Sequence, residues 1–419
     1  MGIDGDKLFA VCRVGKMTQK QAAMEIVKRL RKKGFTALFA GGCVRDMLLG
    51  RMAKDYDVAT NATPGDVCAI FSRTLEVGAQ FGVVVVMMNG AQVEVATFRT
   101  ESGYVDGRHP SHVEFADAKE DASRRDFTIN GMFYDPLEEK VIDFVGGRED
   151  IEKRVIRTIG EPAERFGEDY LRMLRAIRFS AQLGFEIDGK TFEAINAKSS
   201  YITKISGERI AMELDVTLTN PNRKYGCQKL LETGLLHAIF PKVGEYQAVS
   251  GIEVLGQLRK NGSFAFCVAA LWSHTETDRA MEQLEVLKLS RDQYKHIEYL
   301  LKNRGKLREA DMSVSTLKRL AANPYFRDLF DLHKAMMRAG GEAVSSLTKL
   351  KLRLRDFKGV ELAPRPLLNG HELISIGAVP GPEVGELMEE IYIQQLEGSV
   401  TDKEHARLWA ADWLKKRED

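Results

Sequence analysis

The chain has 419 residues, 44% of them hydrophobic and 29% charged, with a formal net charge of +1; this is the balance of a globular protein with room for roughly two to four compact units. No run approaches the roughly 20 apolar residues of a membrane span, the N-terminus lacks a basic-then-apolar leader, and five cysteines without metal-ligand spacing argue against a zinc site or a disulfide framework. A cytoplasmic protein with free thiols is expected. The small net charge hides an asymmetry: residues 301–360 hold 14 Lys and Arg against 6 Asp and Glu, so the remainder is net acidic. A polyanion would see that local excess, although a solvated helical surface would read the same way.

Residues 17–33 show helical periodicity behind Thr18 as N-cap. Ala37 to Ala40 reads as a short buried strand running into Gly41-Gly42, after which Cys43 to Leu49 opens a helix. Tyr56 to Ala59 is the next strand, and Thr63-Pro64 starts a helix to about Phe71. Val83 to Met88 and Gln92 to Phe98 pair as a hairpin across Asn89-Gly90. Thr100 to Pro110 reads as a polar loop, residues 117–133 as a helix, and Lys140 to Phe144 as a strand. From about Pro162 strands give way to amphipathic helices over residues 162–183, 207–218, 223–235, 279–303, 313–321, 324–338 and 402–416. The fold class is therefore an α+β head, with a mixed sheet, followed by an all-α remainder.

Four groups in the head carry chemistry. Gly41 and Gly42, between strand and helix, let backbone approach a ligand, and the helix start offers free N–H groups to phosphate, with Arg45 one turn in. In Lys54-Asp55-Tyr56-Asp57, alternation along a strand puts Asp55 and Asp57 on one face; two adjacent carboxylates repel unless a cation lies between them, and hard oxygen ligands suit magnesium. Glu94 lies in the apolar run Val93 to Phe98, where burial of a lone acid would be costly; a role in taking or positioning a proton would explain it. Arg124-Arg125-Asp126-Phe127-Thr128-Ile129-Asn130 gathers guanidinium groups for phosphate, an acid able to accept from ribose, and the Asn130 amide at one helix entry.

The order Gly-Gly-x-Val-Arg-Asp, Asp-x-Asp, Arg-Arg-Asp-Phe-Thr-Ile-Asn, then Phe166-Gly167-Glu168-Asp169-Tyr170-Leu171-Arg172-Met173-Leu174-Arg175-Ala176-Ile177-Arg178-Phe179 resembles the class II tRNA nucleotidyltransferase and bacterial poly(A) polymerase family. The likeness is clearest over residues 36–240. It implies a catalytic head (1–145), a helical neck that recognises the nucleotide base (146–240), a helical body (241–345) and a tRNA-binding tail (346–419). It implies two Mg2+ ions on Asp55 and Asp57, with Glu94 as third acid. Arg125 and Asp126 would touch phosphate and ribose, Asp143 to Gly147 would form the head–neck hinge, and Asp169 and Arg172 would read the base. Arg175 and Arg178 are further candidates for triphosphate contact or for structure, and Glu208 and Arg209 for an organising ion pair. The implied substrates are ATP, CTP and tRNA.

Hydrogen-bond chemistry supports the base assignment. Asp169 and Arg172, at i and i+3, would share a helix face; Asp only accepts and Arg only donates. Cytosine and adenine each present an amine beside a ring acceptor and match such a pair. Guanine and uracil present a carbonyl and an N–H, and would leave polar groups unpaired at about 1–3 kcal/mol per contact. Without the flanking motifs the two would read as an intrahelical salt bridge; with them base reading is preferred. The expected product is complete CCA addition, with A addition alone, poly(A) tailing and, from a different class, a non-catalytic RNA-binding role as the alternatives. Val77 to Val84 lacks the basic stretch of poly(A) polymerases, and the Gly103 to Pro110 loop is intact, unlike that of CC-only enzymes. The best tRNA-contact candidates are Lys349, Lys351, Arg353 and Arg355, on one face if the segment is a strand and spread if it is a helix.

Overall fold

The computed structural model describes residues 17–78, 81–104, 110–309 and 311–418. The chain divides into two compact units, Met1–Pro241 and Lys242–Asp419.

The first unit opens with α1 (Gln19–Lys32), capped by Thr18 in a reciprocal box with Gln21. β1 (Ala37–Ala40), α2 (Gly42–Leu48), β2 (Asp57–Thr60) and α3 (Pro64–Ile70) follow, then β3 (Thr74–Gly78), β4 (Val83–Met88) and β5 (Ala91–Thr97). A separate hairpin, β6 (Arg99–Tyr104) and β7 (Pro110–Phe115), replaces the expected polar loop. Residues 105–109 of the Gly103 to Pro110 segment and residues 79–80 of the Val77 to Val84 segment lie outside the described residues. After α4 (Ala118–Arg124) come β8 (Phe133–Asp135) and β9 (Lys140–Ile142). These strands form one mixed sheet in the order β3-β4-β5-β2-β1-β8-β9, in which β2 and β5 run parallel and the other neighbours antiparallel. Buried Phe39, Val58 and Val95 fill its middle. The helix expected over residues 117–133 stops at Arg124. Arg125 turns extended, and only a 3-10 turn at Thr128–Asn130 follows, because Asp126 and Thr128 bond to the backbone of Ile159 and Arg157 instead of continuing a helix.

Asp143 ties the next turn: its carboxylate accepts from the backbone N–H groups of Val145, Gly146, Gly147 and Arg148. Then come α5 (Gly147–Lys153), β10 (Val155–Ile156), α6 (Pro162–Glu168), α7 (Leu171–Leu183), β11 (Glu186–Ile187), α8 (Gly189–Lys198), α9 (Gly207–Leu218), α10 (Arg223–Glu232) and α11 (Leu235–Ile239). Strands do not vanish after Pro162, since β11 pairs in parallel with β10. The single helix expected over 162–183 is two, broken at Asp169-Tyr170.

The second unit is helical among its described residues: α12 (Glu245–Gly256), α13 (Phe264–Leu271), α14 (Thr277–Leu284), α15 (Arg291–Asn303), α16 (Val314–Ala322), α17 (Phe326–Ala339), α18 (Ser346–Asp356), α19 (Gly370–Ile376), α20 (Pro382–Glu397) and α21 (Lys403–Glu418). Every residue of α13 is buried. A distinct apolar cluster built on Leu373, Leu387, Ile391 and Ala406 joins α19, α20 and α21. α12 crosses α13 so closely that a Cβ on Gly251 would sit 1.8 Å from the Leu271 carbonyl oxygen. Gly251→Ala is therefore expected to cost at least ~2 kcal/mol and to lower the Tm by roughly 4–8 °C, read by calorimetry; an unchanged Tm would contradict this packing. Lys349, Lys351, Arg353 and Arg355 fall on α18, so the basic residues are spread around a helix and do not share a face. Arg353 is half-buried and donates to the Met312 carbonyl, while Lys351 lies 5.7 Å from the Phe330 ring.

Candidate active site

The sheet register decides where the acids go. β2 and β5 pair in parallel with Val58 opposite Val95, so Asp57 and Glu94, one residue earlier on each strand, point to the same side. Asp55 precedes β2 rather than lying in it, yet Asp55, Asp57 and Glu94 line one cavity of about 200 Å3. Glu94 is not buried, as its apolar neighbours suggested: β5 alternates, with Val93 and Val95 inward and Gln92 and Glu94 on the open face. Asp57 is exposed at the start of β2, but desolvation of its carboxyl against the surrounding protein, then the charges of Glu94 and Asp55, push it up to about 6 against the pull of Arg125. Burial and the neighbouring Asp57 also raise the Cys43 thiol, to about 11, which keeps it a neutral packing group.

Asp57 also lines a second and larger cavity of about 560 Å3. Gly41 and Gly42 form one wall. Gly41 has φ 72°, a conformation natural to glycine, and a Cβ there would meet an Arg125 guanidinium nitrogen at 3.1 Å. Arg45 donates to Asn130 Oδ1 at 2.7 Å and to Asp46 at 2.9 Å. Arg124 and Arg125 both anchor on buried Asp121, Arg125 Nη1 also donates to the Asn130 carbonyl at 3.4 Å, and both side chains line the cavity. Asp126 accepts from Arg175 at 2.8 and 2.6 Å, from the Phe127 N–H at 2.8 Å and from Asn130 Nδ2 at 3.3 Å. Burial works to raise its carboxyl, but the Arg175 charge and these donors hold it below the usual carboxylate range. Asn130 thus ties Arg45 to Asp126.

The break between α6 and α7 supplies the far wall. Asp169 is not on a helix face with Arg172: it caps the end of α6, accepts from the Leu171 N–H at 3.0 Å and pairs with Arg209 at 2.9 Å. Arg172 pairs with Glu168 and donates to the Arg165 carbonyl at 3.0 Å. The intrahelical salt bridge between Asp169 and Arg172 therefore does not form; both side chains, with Arg209 and Arg175, line the cavity. Arg209, expected to pair with Glu208, reaches Asp169 instead. Arg178 is not among the lining residues and pairs with Glu213 at 3.2 Å.

Three contributors escaped the sequence reading. Phe179 is ringed by the guanidinium carbons of Arg45, Arg175 and Arg178 at 5.4, 5.4 and 4.4 Å. Asp121 carries both Arg124 and Arg125. Arg165 bonds to the carbonyls of Arg124 and Arg125, so it fixes from below the segment that lines the cavity. Only the i, i+3 spacing of Arg165 and Glu168 hinted at it. Arg165→Ala is expected to lower kcat/KM on the order of ten- to hundred-fold by letting that segment shift; steady-state kinetics at the wild-type level would show that the segment holds itself.

A mixed sheet carrying clustered carboxylates, beside a glycine turn and an arginine-lined cavity, makes this a nucleotidyltransferase. The Poly A polymerase head domain family matches residues 37–157, and residues 184–246 match a family described as the probable RNA and SrmB-binding site of polymerase A. The CCA-adding enzyme of Limosilactobacillus fermentum is 33% identical over 413 residues, covering 94% of this chain and 97% of its own. That of a Geobacillus species is 45% identical over 234 residues, covering 55% and 58%. Among solved structures, the Bacillus stearothermophilus CCA-adding enzyme in complex with CTP superposes with a TM-score of 0.78 at 30% identity, covering 96% of this chain and 99% of that one. The Thermotoga maritima CCA-adding enzyme complexed with tRNA shares the fold, with a TM-score of 0.66 at 21% identity over 96% and 97%. The chain belongs to the CCA-adding enzyme family of tRNA nucleotidyltransferases.

Proposed function

We propose that this chain adds C and A, from CTP and ATP, to the 3′ end of tRNA in the cytoplasm. The observation that carries this reading is Asp57, which lines both the acidic cavity and the arginine-lined cavity. A group there faces the attacking hydroxyl on one side and the triphosphate on the other.

The donor set fits magnesium. No ion pair joins Asp55, Asp57 or Glu94 to a basic side chain among the described residues, and the charges of Glu94 and Asp55 add to desolvation in raising the Asp57 carboxyl against the pull of Arg125. Nor do three His, Cys, Asp or Glu side chains close on a common point among the described residues; a magnesium site completed by nucleotide phosphate oxygens needs no such cage. Asp55 and Asp57 would hold two ions, which when bound lower the pKa of the RNA hydroxyl and neutralise charge on the leaving pyrophosphate. The RNA 3′ oxygen attacks the α-phosphorus in line; a P–O bond forms to RNA, the bond to pyrophosphate breaks, and Glu94 takes or steers the hydroxyl proton. Gly41, Gly42, Arg45, Arg124 and Arg125 hold the triphosphate. Asp126 faces the ribose but already accepts from Arg175, Phe127 and Asn130, so it works together with Asn130 as an oriented unit.

Asp169 and Arg172 read the base. Their partners, Arg209 and Glu168, fix them while leaving spare capacity: each Asp169 oxygen has a second lone pair, and most Arg172 N–H groups are uncommitted. Division of labour follows the head (1–145), neck (146–240), body (241–345) and tail (346–419), with exposed Lys349, Lys351 and Arg355 of the tail touching the tRNA backbone. The test offers tRNAs ending before CCA, in C and in CC, each with labelled CTP or ATP, and reads product lengths. With both triphosphates present and either one labelled, extension of all three to the full end is expected, since CTP alone stops at CC. ATP incorporation into the CC-ended tRNA alone would instead define an A-adding enzyme, and long A tails a poly(A) polymerase.

A further inference from the structure

The neck carries an aromatic group that the nucleotide cavity does not use. Tyr170 lies between Asp169 and Leu171, both of which line that cavity. Its ring stacks on Tyr201, with centroids 5.1 Å apart and planes 9° from parallel. Tyr201 comes from the 3-10 segment Ser199–Lys204 and is 41% exposed. Lys204 Nζ is 5.6 Å from the Tyr170 centroid and 4.9 Å from that of Tyr201. With the rings 5.1 Å apart, those distances put the ammonium beside the stack and not over its outer face. Lys198 Nζ is 5.7 Å from the Tyr201 ring. Neither lysine has a carboxylate partner among the described residues.

A parallel tyrosine pair with an open edge and two uncompensated cations is a poor use of surface for stability alone. It has the composition of a single-stranded nucleic-acid site, in which aromatic faces take bases and nearby cations take the backbone. Position adds to the argument. Tyr170 is one residue from both Asp169 and Leu171, so its backbone borders the nucleotide cavity although its ring is not among the lining groups. The match to a probable RNA-binding family spans Lys198, Tyr201 and Lys204 but assigns no residue.

We propose that the Tyr170–Tyr201 stack, with Lys198 and Lys204, holds the last unpaired base and phosphate of the RNA primer beside the nucleotide cavity. This rests on the reading of the chain as an RNA 3′-end nucleotidyltransferase. Stacking is indifferent to base identity, which suits a primer whose terminal base changes at each addition.

The test uses the full chain and a tRNA lacking its last three nucleotides, with 2-aminopurine as the terminal base. Binding to the wild-type protein is expected to quench the probe. Tyr201→Ala should lose most of the quench and raise KM for the tRNA on the order of ten-fold, the loss falling on the RNA rather than on CTP; Tyr201→Phe, which keeps the ring, should restore both. Lys198→Ala/Lys204→Ala should reduce the slope of log affinity against log salt by about 0.7 per lysine, and supplies the same test if Tyr201→Ala loses its far-UV circular dichroism. An undiminished quench and KM in Tyr201→Ala, a Tyr201→Phe variant as defective as Tyr201→Ala, or an unchanged salt slope overturns the proposal. A wild-type protein that quenches the probe but transfers no nucleotide overturns the functional reading and leaves the platform standing.

Discussion

Asp57→Asn is expected to reduce nucleotide transfer on the order of 10^3-fold or more while leaving the protein folded. The substitution keeps shape and removes one of three clustered negative charges. The native carboxylate stands at an exposed position on β2, yet desolvation and the charges of Glu94 and Asp55 raise it, so its loss relieves repulsion in the folded protein at neutral pH. A folded-state carboxyl raised above its ordinary value loses stability as pH climbs through that range; the variant should therefore match or exceed the wild-type Tm at pH 7.5. An activity loss paired with an unchanged or higher Tm separates a catalytic carboxylate from a structural one. Circular dichroism melts and single-turnover incorporation read the two, and retained transfer with magnesium would remove Asp57 from the chemistry.

Asp169→Ala should damage base choice more than rate. In the proposed reading the carboxylate would accept from the exocyclic amine of C or A, and without it the carbonyl of U or G would no longer be repelled. Discrimination against UTP and GTP is expected to fall roughly ten- to hundred-fold, in line with ~1–3 kcal/mol for an unpaired polar contact. The same substitution frees Arg209 and uncaps the Leu171 N–H, so some loss with CTP and ATP accompanies it. Comparing kcat/KM for the four triphosphates decides the matter: an equal loss with all four would mean that Asp169 only holds α6 and α7 in place.

How far the sequence reached depends on which signals are local. The hairpin of β4 and β5, the Thr18 and Thr63 caps and the glycine turn before α2 are written in adjacent residues, and each formed where expected. The family and the acidic cluster were equally legible, because motif order survives without knowledge of contacts. What failed depended on tertiary partners. Nothing between Ser123 and Phe127 breaks a helix by itself; the segment leaves α4 because Arg165 and the backbone of Arg157 and Ile159 take its hydrogen bonds. The turn at Asp169 escaped for the same reason, being stabilised by Arg209 from 40 residues away. Glu94 was misjudged because an apolar run does not say which face of a sheet is covered. α13, apolar all round, has no periodicity to detect. Arg165, Asp121 and Phe179 act through other side chains, and no spacing rule points to such residues.

Asp57, where the two cavities meet, and Asp55 and Glu94 beside it in the smaller one form the proposed metal site, and counting bound ions addresses it directly. Mn2+ titration followed by electron paramagnetic resonance, with a non-hydrolysable CTP analogue present, should find two ions on the wild-type chain and a clear loss of high-affinity binding in Asp57→Asn and in Asp55→Asn. Equal ion binding by wild type and both variants would contradict it.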